Sequence, residues 1–221
     1  MFEGEPLRLA DLASGPGALA QGFSPYVSAC LLVDAEPEML AVARRGNYKE
    51  PCEADFLCAS VEDLPLEVGV FDIVTIGRAL HWLPHQATRA TLQQITKPGG
   101  HVLICEAGTF RYEYNPWHKD FNAVRQRYTK EDPFVGSQGN AMFFSGSSFR
   151  WRGNTTIIDT QMVSIDKLIE RAFSYSSTAR DVLGDQAAAM EADLQAALRP
   201  HARDGLVQEV IYSAAQVFVR D

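Results

Sequence analysis

Between residues 7 and 105 five short apolar runs alternate with stretches of helical pattern. This alternation restricts the chain to a mainly parallel sheet covered on both faces, because parallel neighbours need a crossover and a helix is the usual one. The runs span 7–12, 29–33, about 55–59, 71–76 and 101–105. Between them, 36–45 places Met39, Leu40 and Val42 on one face and closes on Arg44-Arg45. The stretch 87–96 repeats apolar residues up to Lys97-Pro98-Gly99-Gly100, which is expected to stop a helix and turn the chain into the fifth strand. A length of 221 residues suits one large α/β domain, 1–221, with a single efficient core.

The rhythm breaks at 107–153, a stretch rich in Gly, Ser and Asn with one helix expected at about 116–128. Phe110, Tyr112, Tyr114, Trp117, Phe121, Tyr128, Phe134, Phe143, Phe144, Phe149 and Trp151 fall here, half of the aromatic residues of the chain. A connection this long with that content reads as an insertion or lid over a binding site, and otherwise as a satellite core under a surface loop. Beyond it a strand is expected near 155–163, then a helix starting at Ser164 and a helical run that Pro200 ends. The last strand, 210–219, would add a hairpin-like edge to the parallel sheet.

Charge and cysteine content narrow the partners. Acidic residues outnumber basic ones 28 to 20, and a formal charge of −8 repels phosphate backbones and anionic lipid, so neither nucleic acid nor membrane is an expected partner. No window has the length and freedom from charge of a membrane span, and the start is acidic where a signal peptide is basic, which points to a cytoplasmic location. Cys30, Cys52, Cys58 and Cys105 lack paired ligand spacing and read as reduced core residues, with Cys52 as a loop thiol. His85, His101 and His201 have no ligand-like spacing, so no metal is expected.

Asp11-Leu12-Ala13-Ser14-Gly15-Pro16-Gly17 follows the first strand and opens a helix, a loop whose glycines let backbone pass close to a nucleotide-type ligand. Asp34, at the end of the second strand, lies where a carboxylate can accept hydrogen bonds from both ribose hydroxyls. Gly15-x-Gly17-x-x-Ala20 also satisfies the dinucleotide fingerprint in its Gly/Ala form. Electrostatics favours a different ligand: a charge on Asp11 opposes a pyrophosphate but suits an ammonium and a sulfonium.

DLASGPG resembles the first motif of class I S-adenosylmethionine-dependent methyltransferases, and LLVDAEPEML their acidic second motif. ASVEDLPLEVGVFDIVTIGRALHWL resembles the third and fourth motifs and QQITKPGGHVLICE the fifth, in order and spacing. The likeness covers residues 7–106, is to the methyltransferase 11 type (UbiE-like and trans-aconitate methyltransferase-like), and loosens through the aromatic stretch. It implies a Rossmann-like three-layer sandwich with a mostly parallel seven-stranded sheet and an antiparallel terminal strand. It also implies S-adenosylmethionine as cofactor, S-adenosylhomocysteine as product and a small-molecule acceptor; a homodimer is left open.

By position, the resemblance assigns Asp11, Ala13, Gly15 and Gly17 to the methionine part of the cofactor, with Ser14 in the same loop. Asp34 and Ala35 go to ribose and adenine, Ser60 and Val61 to the adenine edge, and Gly77 and Arg78 close the pocket. Ala13, Ser14 and Ser60 depart from the Gly, Cys or Gly, and Asp usual at those positions. Replacing the charged acceptor by Ser60 should cost ~1 kcal/mol, about fivefold in affinity. Family members usually carry cap helices before the first strand; here that strand is expected almost at Met1, so those helices are expected to be absent.

Methyl transfer needs alignment and exclusion of water more than it needs a base. If a base acts, His81 in Gly77-Arg78-Ala79-Leu80-His81-Trp82 is the candidate, the alternative being that it packs the turn with Trp82. Trp82, Trp117 and His118 are candidates for acceptor binding. Arg78, Arg111, Arg125 and Arg127 are cations suited to a carboxylate, with Arg78 preferred and Arg125 and Arg127 expected at the surface. Because a fold can outlive its chemistry, a non-methylating cyclase-like enzyme and a non-catalytic partner protein stay open as alternatives.

Overall fold

The computed structural model describes residues 6–129 and 140–221, so Phe134 lies outside the described residues. Eight strands are present among them: β1 (Arg8–Leu12), β2 (Ala29–Asp34), β3 (Glu53–Cys58), β4 (Phe71–Gly77), β5 (Thr96–Thr109), β6 (Phe149–Ser164), β7 (Ala202–Arg203) and β8 (Leu206–Arg220). The helices are α1 (Ala18–Phe23), α2 (Pro37–Ala43), α3 (His85–Ile95), α4 (Pro116–Tyr128), α5 (Asn140–Phe143), α6 (Ile165–Phe173), α7 (Arg180–Leu183) and α8 (Ala187–Leu198). One sheet runs β3-β2-β1-β4-β5-β8-β6, mostly parallel with antiparallel C-terminal strands, and β7 pairs with β8. The main path has the seven strands expected, and the two-residue β7, too short to leave an apolar pattern, adds an eighth beside β8.

Residues group into two compact units, one of 1–106, 137–155 and 214–221, the other of 107–136 and 156–213. β5, β6 and β8 each run from one unit into the other. In the first unit both faces of the parallel strands are buried. Leu9, Cys30 and Leu32 join Ala20, Val27, Leu40 and Ala43 in one apolar cluster, while Ala10, Leu12 and Val33 join Val74, Ile76, Leu92, Val102 and Ile104 in another. Neighbouring residues thus point to opposite cores, which is why these strands read as continuous apolar runs rather than alternating ones. α3 buries Thr88, Thr91, Leu92 and Ile95, the three- and four-residue spacing of one helix face.

The stretch Lys97–Gly100 departs from expectation. It lies inside β5 as a bulge: Phe71 pairs with Thr96 and Ile73 with His101, so four residues of β5, 97–100, oppose the single Asp72 of β4. Gly99 takes a φ of 75°, which lets the extra residues loop out, and Lys97 Nζ meets Asp72 at 2.8 Å.

The second unit is built on helices. α6 starts at Ser164, whose hydroxyl accepts from the Lys167 amide at 3.2 Å, and it buries Ile165, Leu168, Ile169 and Ala172. Trp117, Phe121 and Val124 of α4 share that core with Met190, Leu194 and Leu198 of α8. The aromatic stretch is divided between the two units: Trp117 and Phe121 belong to this core, Phe143, Phe144 and Phe149 to that of the first unit. Of the cysteines only Cys30 is fully buried and Cys58 is exposed, a correction to the core reading that follows from the position of Cys58 at the open end of β3. Among the described residues no helix is long and apolar enough to cross a membrane, and no cluster of side chains could hold a metal ion.

Candidate functional site

β1 is the central strand of the parallel set and the place where the strand order reverses, with β2 on one side and β4 on the other. Leu12 is level with Val33 and Ile76, so the segments that follow leave the sheet side by side: 13–17 after β1, Asp34 and Ala35 at the end of β2, Gly77 and Arg78 at the end of β4. A crevice outside the carboxyl ends of the strands at such a reversal is the usual ligand position in open α/β sheets. All eleven expected cofactor residues belong to this unit.

The loop is held from both sides. Ser14 N donates to Val33 O at 3.0 Å and Gly17 N to Ser14 O at 3.0 Å. Gly15 N donates to Asp34 Oδ2 at 2.7 Å, while Glu36 N donates to Asp34 Oδ1 at 2.9 Å. Each Asp34 oxygen thus accepts one amide and keeps a further lone pair. Ala13, Gly15 and Gly17 all have positive φ (49°, 53° and 77°). The two glycines answer different needs. A Cβ on Gly15 would meet nothing within 4 Å, whereas one on Gly17 would stand 2.7 Å from Leu32 Cδ2 and from Tyr48 Oη. Gly77 is also a packing glycine, since a Cβ there would lie 2.8 Å from Leu19 Cδ1.

Asp11 is 1% exposed. Its Oδ1 accepts from Thr75 Oγ1 at 2.7 Å and its Oδ2 from Ala20 N at 3.3 Å. Burial pushes its pKa up to about 7, against the lowering effect of those two hydrogen bonds, and the Asp34 charge adds to the rise. Near neutrality its charge is only partly present. Thr75, the one hydroxyl residue of β4, is the partner that sequence reasoning passed over; a lone hydroxyl in a central strand was the available signal. Ser14 Oγ is buried and, among the described residues, has no hydrogen-bond partner.

Ser60 Oγ donates to Asp63 Oδ2 at 2.7 Å, so a carboxylate lies one hydrogen bond behind the expected adenine position although residue 60 itself is serine. Val61 turns its side chain into the core. Arg78 is exposed with a φ of 56°, and its amide donates to Cys105 O at 2.9 Å. His81 and Trp82 lie in the single 3-10 turn after β4, with ring centroids 4.9 Å apart; both are exposed, Trp82 at 75%.

The remaining expected residues sit in the second unit. Trp117 is a core residue whose Nε1 donates to Gln208 O at 3.0 Å. His118 is half-buried 3.2 Å from Asn122 Nδ2, and burial lowers its pKa. Arg127 is at the surface and pairs with Asp193 at 3.1 Å; Arg111 is exposed. Arg125 is not at the surface as expected: it is 7% exposed, because Tyr175, far along the chain, covers its guanidinium with its ring.

Residues 10–104 match a family model described as a methyltransferase domain, nearly the 7–106 on which the sequence resemblance rests. The chain is 34% identical over 108 residues to the demethylmenaquinone methyltransferase of Thermus thermophilus, covering 48% of this chain and 49% of that one. It is 25% identical over 171 residues to the ubiquinone/menaquinone biosynthesis C-methyltransferase UbiE of Cupriavidus taiwanensis, covering 75% and 66%. The chain therefore spans about half to two thirds of the length of these curated relatives. Among solved structures, the YcgJ protein of Bacillus subtilis superposes with a TM-score of 0.56 at 19% identity, over 97% of this chain and 92% of that one. The [4+2]-cyclase SpnF does so with a TM-score of 0.56 at 15% identity, over 97% and 75%. Both likenesses are of fold.

Proposed function

We propose that this chain, whose residues 10–104 match a methyltransferase-domain family model, is a class I methyltransferase of the methyltransferase 11 type that binds S-adenosylmethionine and directs its methyl group to a small-molecule acceptor. The observation that carries this reading is the pairing of Asp34 with the loop after β1: a carboxylate fixed by two amides, with one lone pair left on each oxygen, beside a glycine with open space above it. Two adjacent acceptors match the two hydroxyls of a ribose. The unpartnered Ser14 Oγ adds a buried polar atom that a ligand over this loop would satisfy.

The same residues fit a dinucleotide poorly. Ala20 N, in the first turn of α1, is already taken by Asp11, and the Asp34 carboxylate holds the loop where a pyrophosphate would bring more negative charge. A sulfonium has the opposite preference, and its approach would favour the ionised form of Asp11.

When bound, S-adenosylmethionine supplies a methyl group already activated for in-line displacement. The contribution of the chain is to hold and to exclude. Asp34 holds the sugar and Ser60, backed by Asp63, the base edge. The loop and the β4 end, Gly77 and Arg78, bound the space in which an acceptor would be aligned. For an acceptor whose nucleophile carries a proton, we assign the proton to His81, the imidazole nearest in sequence to the β4 end. A net charge of −8 supports a small molecule over nucleic acid as the acceptor.

The test is acceptor-dependent formation of S-adenosylhomocysteine, followed by mass spectrometry over an acceptor panel that includes demethylated quinones, the class named for the relatives. Product from the parent chain and its loss in Asp34→Ala support the proposal. Cofactor binding with no turnover on any acceptor would favour a non-methylating enzyme. Unchanged turnover in His81→Ala would remove that residue from the proton-accepting role.

A further inference from the structure

We propose that the second unit contains a carboxylate-binding site built on Arg125, independent of the cofactor loop. Arg125 is a buried cation, and among the described residues no carboxylate pairs with it. Its Cζ lies 3.5 Å from the ring centroid of Tyr175 and 5.9 Å from that of Phe121, so the flat face of the guanidinium is covered by an aromatic ring. The ring satisfies the charge in part but none of the in-plane N–H donors. Of those, Nη1 reaches Asn122 Oδ1 at 3.4 Å. Among the described residues Nε is buried without a partner and Nη2 makes no hydrogen bond. The edge left open is the Nε–Nη2 fork, the side on which a guanidinium grips a carboxylate with two parallel hydrogen bonds.

The buried carboxylate of this unit, Glu209, is fully engaged: it accepts from Thr109, from Gln161 and twice from Arg171, at 2.5–2.9 Å. That pair is neutral as a whole, and among the described residues no carboxylate is left to pair with Arg125. Asn122 turns its amide nitrogen toward His118 and the Tyr112 hydroxyl, so it braces Arg125 without contributing charge. A lone buried cation is costly to keep unless something of opposite charge visits it. Tyr175 is 38% exposed, so the ring stacked on the guanidinium borders solvent. A carboxylate satisfies both open donors and the charge at once; a neutral ligand would leave the charge unmet.

The probe is benzoate, with succinate as a dianionic comparison and benzamide as the neutral control, titrated into the whole chain. The readout is the Arg125 Nε–H resonance in nitrogen-15 spectra, together with calorimetry. The expected result is a saturable downfield shift with benzoate, absent with benzamide, and affinity about tenfold weaker in Arg125→Lys, which keeps the charge but loses the fork. Asn122→Asp supplies an internal carboxylate within reach of the same guanidinium. It should raise the melting temperature and weaken benzoate binding by a similar factor. A shift that fails to saturate, or equal affinity in parent and Arg125→Lys, would overturn the site. Because the resonance belongs to the second unit, the outcome is independent of whether S-adenosylmethionine binds. Turnover on carboxylated acceptors that falls with Arg125→Lys would identify the acid as part of the acceptor; binding without that effect would identify a separate carboxylate ligand.

Discussion

Gly15 and Gly17 lie two residues apart in one loop, both with positive φ, yet the structure gives them opposite consequences when a methyl group is added. In Gly17→Ala the new Cβ would stand 2.7 Å from Leu32 Cδ2, inside a fully buried cluster, and 3.3 Å from Ala43 Cβ. A left-handed conformation costs about 1–2 kcal/mol for a residue with a Cβ, and overpacking a tight core adds about 1–3 kcal/mol, for a total loss of about 2–5 kcal/mol. Gly15→Ala carries only the conformational part, about 1–2 kcal/mol, because nothing lies within 4 Å of the new atom. That open space is where the account puts the cofactor, so Gly15→Ala should lose S-adenosylmethionine affinity by at least about tenfold, the equivalent of 1.4 kcal/mol. Urea denaturation measures the first pair of numbers and calorimetry the second. If Gly17→Ala is no less stable than Gly15→Ala, the packing argument fails. If Gly15→Ala binds the cofactor as the parent does, no ligand lies over this loop.

Two other substitutions test the buried charges. The folded chain holds the Asp11 proton up to about pH 7, whereas an unfolded aspartate releases it near 3.8. The stability tied to that proton is complete below about 3.8 and is lost as the pH rises through about 7. Asp11→Asn, uncharged throughout, should therefore gain on the parent across this window by up to about 4 kcal/mol, at 1.36 kcal/mol per pH unit. A stability difference that is the same at pH 4 and pH 7.5 would refute the shift. Arg171→Met leaves Glu209, fully buried, with only Thr109 and Gln161 as donors, and should destabilise the chain by about 3–5 kcal/mol. Adding Glu209→Leu should recover much of that loss in urea denaturation; no recovery would mean that the charge is not the cause.

The parallel strands were legible because both of their faces are buried, so that Leu9 and Ala10, pointing to opposite cores, still read as one apolar run. The same logic failed at Lys97–Gly100. A Pro-Gly-Gly run signals a turn, but here the neighbouring β4 pairs on both sides of it and the extra residues form a bulge. Arg125 and Arg127 look alike in sequence, alternate cations on one helix, and differ only through residues far along the chain: Tyr175 for the first and Asp193 for the second. Asp63 behind Ser60 and Thr75 behind Asp11 were equally out of reach of motif reasoning, which assigns positions singly and does not see hydrogen bonds between them. The division of the aromatic stretch between two cores has the same origin, since Phe144, which Phe143 and Phe149 pack against, is itself stacked on Phe218, far along the chain.

The central claim, an S-adenosylmethionine site at the reversal point of the sheet, is tested most directly by calorimetric titration of S-adenosylmethionine and S-adenosylhomocysteine into the 221-residue chain, with NAD as control. One-to-one binding of both adenosyl ligands in the micromolar range is expected, lost in Asp34→Ala, with no heat from NAD. Binding of NAD, or no binding of either adenosyl ligand to the folded chain, would contradict it.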